Sequence, residues 1–229
     1  MRNFLFTFSC LICTFTLFSQ EPIKGSVTYE FDITGSNAAM VSSVLPKKMI
    51  HYYSDSGMVT IMEGGMMDQM MDRMVVKTND KMAYMVNDDK QTVYRIDLKS
   101  MQKATDDLKE ADEAMELIEG ETLELLGYKC NKYQTTIIQN GLTVKAVIWT
   151  TDEITIPDME RGTESLSGGF IPSNIKGFPL KIEATMEMLQ ANYILKVTEI
   201  DPNADVSALL EIPADYAVED YDATQIIGN

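Results

Sequence analysis

Alternation of apolar and polar side chains runs through most of the chain. In GSVTYEFDI (25–33), Val27, Tyr29, Phe31 and Ile33 interleave with Ser26, Thr28, Glu30 and Asp32. A period of two is what a strand with one dry face shows. LKIEATMEM (180–188) repeats the pattern, with Leu180, Ile182, Ala184, Met186 and Met188 against Lys181, Glu183, Thr185 and Glu187. NYILKVTEI (192–200) follows at once, so the two segments are expected to form a hairpin that turns at Gln190–Asn192. Further strands are expected at 47–54, 57–63, 73–78, 81–87, 91–98, 130–138 and 142–151, separated by the turn-forming sequences SDSG, NDD and QNG.

Helical spacing is confined to short stretches. Ala104, Leu108, Ala111, Met115 and Ile118 recur every three or four residues in 100–120, with Gly120 as a stop and six acidic residues on the opposite face. This predicts an amphipathic helix with a solvated acidic side. Shorter helices are expected at 36–45 and 158–166. The fold class is therefore mainly β (α+β), a large antiparallel meander interrupted by a few helices, with none of the strand–helix alternation of a parallel sheet.

One further segment has helical spacing and is dense in methionine. GGMMDQMMDRM (64–74) places five methionines, Met66, Met67, Met70, Met71 and Met74, in nine consecutive positions. On a helix they fall within an arc of about 140°, with Asp68, Gln69, Asp72 and Arg73 on the remainder. A flexible thioether face suits an apolar lid over a cavity or adaptable core packing. It also suits Cu(I), for which thioether is a soft ligand.

Other features set limits. Residues 1–20 carry Arg2, then an apolar stretch from Phe4 to Phe18, then Ser19 and Gln20, the layout of a secretory signal peptide. That apolar run is too short to span a membrane, and no other run reaches that length. Residues 21–229 are then expected to form one domain, exported to the periplasm or an outer-membrane-associated site. Cys10 and Cys13 lie in the expected leader, leaving Cys130 as a lone buried thiol rather than half of a disulfide. Lys and Arg total 19 against 35 Asp and Glu, a formal net charge of −16. That balance disfavours nucleic acid as a partner and leaves room for a basic envelope protein as one.

Catalytic constellations are missing. His51 is the single histidine, and its place in MIHYYS predicts a strand histidine packed beside tyrosines rather than a general base. DPNADVSALLE (201–211) copies the opening of a calcium loop, but Val206 and Ile212 stand where that loop requires glycine and glutamate. No enzyme activity and no cofactor or metal site is expected from these patterns.

LGYKCNKYQ, VIWTTDEI, GFPLKIEA and LLEIPADY, in that order between residues 24 and 218, resemble the recurring segments of exported Gram-negative envelope proteins of the domain of unknown function 4412 family. The related GLPGLI family is similar, though GFPLKI matches its motif only in part. The resemblance implies the lipoprotein-carrier (LolA-like) superfold, a curved antiparallel sheet or half-barrel with helices over its concave face. It also implies an apolar cavity for a lipid, an acyl chain or another hydrophobic small molecule. Trp149 and Phe178 are the residues expected at such a cavity, together with the methionine segment. Copper(I) binding or chaperoning, and an acidic interaction module, are the alternative functions.

Overall fold

The computed structural model describes residues 22–78, 80–101, 103, 109–112, 115–139, 142–157 and 175–222. The chain enters β1 (Gly25–Gly35), crosses α1 (Ala38–Val44), and runs through β2 (Lys48–Ser54), β3 (Gly57–Glu63), α2 (Gly65–Met70), β4 (Arg73–Lys77), β5 (Met82–Asn87) and β6 (Thr92–Asp97). It continues through β7 (Lys109–Asp112), β8 (Glu116–Leu125), β9 (Tyr128–Gln139), β10 (Leu142–Thr151), β11 (Phe178–Met186), β12 (Ala191–Asp201) and β13 (Ala217–Asp220). The strands form one 13-stranded sheet in the order β13-β6-β5-β4-β3-β2-β1-β12-β11-β10-β9-β7, with β8 also on β9. It is an open, curved antiparallel sheet, joined at one edge by the parallel pair β13–β6. Two meanders, β2–β6 and β9–β12, are united where β1 pairs with β12.

Cross-strand register puts one continuous apolar face across both meanders. Phe31 stands opposite Leu195, which stands opposite Ile182, which stands opposite Ile148, which stands opposite Tyr133. In the other direction Tyr29 faces Met49, and Met49 faces Met62. Period-two alternation delivers these side chains to the same side of the pleat. They form the larger core cluster, in which Val27, Met49, Ile96, Ile148, Leu180 and Leu195 are 0 to 1% exposed.

The opposite face of β2–β6 has its own cover. Val59, Val75, Val86 and Val93 pack under Val206, Leu209, Leu210, Ile212 and Tyr216 of the segment after β12. Asp205, expected to be no calcium ligand, caps a turn there by accepting from Ser207 N–H at 2.9 Å, and Asp201 accepts from Asn203 N–H in the same way. LLEIPADY is thus the apolar strap over the second face.

Three sequence expectations are corrected. Of the helix expected over 100–120, residues 98–101 and 103 are helical, whereas 109–112 and 116–125 are the strands β7 and β8; residues 102, 104–108, 113 and 114 lie outside the described residues. Both strands pair with β9, β8 along residues 128–134 and β7 along 137–139. Local helical spacing yields here to the pairing demand of β9, whose edge would otherwise be open, and to the Leu126–Gly127 turn. Both turn residues have positive φ, 52° and 85°, as a tight hairpin connection needs. Gly120, expected as a helix stop, instead sits at φ 79° within the register break between Leu117 and Thr122. Glu116, Glu119, Glu121 and Glu124 are exposed along this strand, charges of the kind that discourage further pairing at a sheet edge.

The β11–β12 hairpin forms as expected, but its turn is Glu187–Gln190, earlier than Gln190–Asn192. Asn192 is already paired with Thr185, and Met188 is 69% exposed in the turn. The third correction concerns the methionines: α2 ends at Met70, and Met74 lies in β4. The expected helix at 36–45 is α1; that at 158–166 lies outside the described residues.

Cys130 is fully buried and free. Burial raises its pKa, with the nearby Glu153 carboxylate adding to the effect, so little reactive thiolate forms. A thiol reagent at neutral pH should label it only on the timescale of unfolding. Labelling within seconds of mixing the native protein would contradict that placement.

Candidate functional site

The methionine segment divides between two roles. Gly64 and Gly65, at φ 78° and 71°, break β3 and start α2 against the end of α1; a Cβ on Gly65 would lie 2.4 Å from the Leu45 carbonyl oxygen. Met66 on α2 is 49% exposed, and Met70 is half-buried. Met67 is on the same helix, its side chain outside the described residues. Past the helix, Met71 and Met74 are 2% and 4% exposed and belong to the larger core cluster. Met49, Met58, Met62, Met85 and Met101 join them there. Two pairs are direct cross-strand partners, Met49 with Met62 and Met74 with Met85. The β2–β6 half of the apolar face is therefore lined largely by thioethers.

The β9–β12 half is lined by rigid side chains interrupted by small ones. Thr135, Ala146, Ala184 and Tyr193 are successive cross-strand partners on β9, β10, β11 and β12. Three short side chains in a row, all buried, interrupt an otherwise large-residue face. The cleft of about 830 Å³ at these strands is lined by Gln134, Val147, Glu183 and Ile194 and by Thr136, Lys145, Thr185 and Asn192, the rungs that flank this row and point to the opposite, more exposed side of the sheet. Tyr193 is 8% exposed, and burial pushes its pKa up to about 12, so it presents a neutral phenol.

Phe178, 5% exposed, belongs to the same cluster as Met71 and Met74. Trp149 packs at the margin of that cluster. It stands opposite Lys132 on β9 and Lys181 on β11, and the Lys132 ammonium lies 5.5 Å from its ring centroid. Its indole N–H is buried with no hydrogen-bond partner among the described residues. The structure thus brings Met71, Met74 and Phe178 into one apolar body with Trp149 beside it, and leaves Met66 and Met70 at a strand end. Sequence reasoning missed the Thr135–Ala146–Ala184 row. Its signal was short side chains at inward positions of long strands, which acquires meaning only once the register aligns them.

His51 has the packing its sequence context suggested. It is 3% exposed, 5.7 Å from Tyr29 and 6.0 Å from Tyr53 between ring centroids. Its Nδ1 is 2.8 Å from Thr60 Oγ1, directly across the ladder. Burial lowers its pKa to about 4 and raises those of Tyr29 and Tyr53. The Tyr29 hydroxyl donates to the Pro179 carbonyl at 3.0 Å, pinning the start of β11. An imidazole sealed in this way is a structural polar group, out of reach of a substrate in solvent.

Among the described residues no helix is long and apolar enough to cross a membrane. No curated protein matches the sequence. Solved structures with a loosely similar shape include PNGF-II, at 14% identity over 87% of this chain with a TM-score of 0.44. This chain spans only 31% of that one. Lipoprotein LppX of Mycobacterium tuberculosis follows, at 9% identity over 79% of this chain and 90% of its own, TM-score 0.33. A LolA superfamily protein of Nitrosomonas europaea is similar at 8% identity over 85% and 92%, TM-score 0.32. At these scores the shapes carry no argument about function. The family model described as Domain of unknown function (DUF4412) matches residues 39–216, most of the chain and every strand from β2 to β12, and the protein belongs to that family.

Proposed function

We propose that this is an exported, non-catalytic envelope protein that binds a lipid, acyl chain or similar hydrophobic molecule on the larger apolar face of its sheet. The observation that supports the reading is the continuous apolar face of the sheet, in which the short side chains of Thr135, Ala146 and Ala184 lie in one row and the β2–β6 part is lined by methionines. Ligand sites are concave and mostly apolar with a few polar groups at the rim, and thioether side chains repack around guests of varying shape. Met66, Met67 and Met70 on α2 serve as an adjustable lid, with Met71, Met74, Phe178 and Trp149 as walls. The leader-like residues 1–20 support export.

Copper(I) is the second reading, favoured by the two methionine pairs that face each other across the ladder. One set of variants separates the two. Met→Leu at 66, 67, 70, 71 and 74 keeps the apolar surface and removes the five thioethers of this segment, one member of the Met74–Met85 pair among them, at a cost below about 1.5 kcal/mol per buried site. Ala184→Leu instead adds bulk to the row of short side chains on the apolar face. The apolar-ligand reading expects a fluorescent fatty acid to bind the parent and the methionine variant alike, and the Ala184→Leu protein at least about tenfold more weakly. Absence of fatty-acid binding from all three, with a Cu(I) affinity lost on Met→Leu, would overturn it in favour of the metal.

A further inference from the structure

The face of β2–β6 opposite the larger core is closed by one segment. Val59, Val75, Val86 and Val93, each 0% exposed, lie under the strap that leads from β12 to β13. β12 pairs with β1 in the middle of the sheet and β13 with β6 at its edge, so the strap crosses this face tethered at both ends. Asp201 at one end is paired with Ser26, and at the other Arg95 Nε lies 2.7 Å from Asp220. Between the tethers the backbone bonds to itself: Leu209 and Leu210 N–H donate to the Val206 carbonyl, and Glu211 N–H to that of Ala208. Among the described residues no backbone hydrogen bond joins 205–216 to the sheet. The hold is apolar and incomplete. Val206 is buried, but Leu209, Leu210 and Ile212 are only partly so, and Leu210 rests on Gly57, where an added Cβ would come within 3.1 Å of its Cδ2. A segment with few backbone bonds and a modest apolar grip opens at lower free energy than the strands beneath it.

Arg73 on β4 weakens the closed state further. Its Nη2 donates to the Glu211 carbonyl at 3.4 Å and its Nη1 to Asp88 at 3.1 Å, yet its Nε is buried with no partner among the described residues. The Arg73 side chain is 14% exposed and that of Asp88 44%; Tyr216 of the strap stands beside the same carboxylate. A buried donor left without an acceptor opposes the state that buries it. Lifting the strap lets water reach Nε, while the pair with Asp88, already half in solvent, persists.

We infer that residues 205–216 are a strap that lifts as a unit while β12 and β13 stay paired, uncovering the second apolar face, and that Arg73 is the residue that keeps it openable. The device lies on the side of the sheet opposite the face proposed to bind a ligand, and it stands whether or not a ligand binds there.

The test is thiol labelling of the full chain carrying Val59→Cys, a small buried apolar replacement beside Gly57 and under Leu210, with Val86→Cys as a second reporter on the same face. Iodoacetamide is added to the native protein, and peptide mass spectrometry follows the introduced thiol and Cys130 separately. The introduced thiol should react at least about a hundredfold faster than Cys130, because the strap lifts long before the molecule unfolds. Adding Arg73→Met, which removes the unpaired donor and leaves an apolar side chain under the strap, should slow labelling at position 59 about tenfold or more. Adding Leu210→Ala should speed it about tenfold. Cys130 should remain the slower thiol in every protein, which shows that each is folded. Equal rates for the two thiols in both reporter proteins would mean that the strap leaves only on global unfolding, and would overturn the inference. Labelling at position 59 as fast with Arg73→Met as without it, or faster, would overturn it too.

Discussion

Replacing Ile182 by aspartate should cost about 4 kcal/mol of folding stability, whereas Glu183→Lys, one residue along the same strand, should cost less than about 1 kcal/mol. Ile182 is 1% exposed and stands between Leu195 and Ile148 on the apolar face. A carboxylate there loses the packing of a branched side chain and has no cation to pair with on that face. Glu183 points to the other side, where it is half-buried and holds Lys181 at 2.6 Å. Urea denaturation of the two variants measures the difference directly. Comparable losses would mean that the faces of β11 are assigned the wrong way round, and with them the face proposed to bind a ligand.

The second large effect is one of pH. The folded protein holds His51 neutral, its pKa lowered to about 4 by burial, whereas in the unfolded chain it returns to the ordinary value of 6.5. The unfolded state therefore binds the proton first. The stability contributed by the neutral ring is complete above pH 6.5, shrinks as pH falls through the window from 6.5 to 4, and changes no further below it. Over the whole window the loss is about 3 kcal/mol, and by pH 5 about 2 kcal/mol. The groups in contact with the ring, Tyr29, Tyr53 and Thr60, bring no carboxylate to stabilise an imidazolium. His51→Gln retains a hydrogen-bonding partner for Thr60 and cannot titrate. Its unfolding free energy should fall less between pH 7 and pH 5 than that of the parent, by about 2 kcal/mol; parallel profiles would show that His51 is accessible to protons in the folded state.

The contrast between these residues and those of 100–120 explains what was legible in the sequence. Period-two alternation located β1 to β6 and β9 to β12, because each is a half-buried strand whose inward set is apolar on its own. His51 was readable for the same reason, sitting between inward-facing positions of a tyrosine-rich strand. β8 was not, because its glutamates and leucines satisfy a helical template as well as a strand. What decides between them is the unpaired edge of β9, a long-range demand that no local window contains. Met74 shows the same conflict on a smaller scale: helical spacing carried it into an arc with Met66 and Met70, but the Val75–Val76 pair of β4 binds it into the ladder.

The candidate site was legible only in part. Methionine content and the apolar character of Phe178 were visible, and both belong to the face that now carries the functional reading. The row of short side chains depends on Thr135, Ala146 and Ala184 being cross-strand neighbours, which is a property of register. Each is unremarkable in its own segment. The strap of Val206, Leu209, Leu210 and Ile212 was equally hidden, since a segment without periodicity gives no sign of the surface it covers.

Native mass spectrometry of the protein purified from its own cells under mild conditions tests the central claim most directly. The account predicts a bound population heavier than the bare chain by the mass of a lipid or fatty acid, released by collisional activation and depleted in the Ala184→Leu protein. A bare chain alone, or an added mass of copper that disappears when the five methionines become leucine, would contradict it.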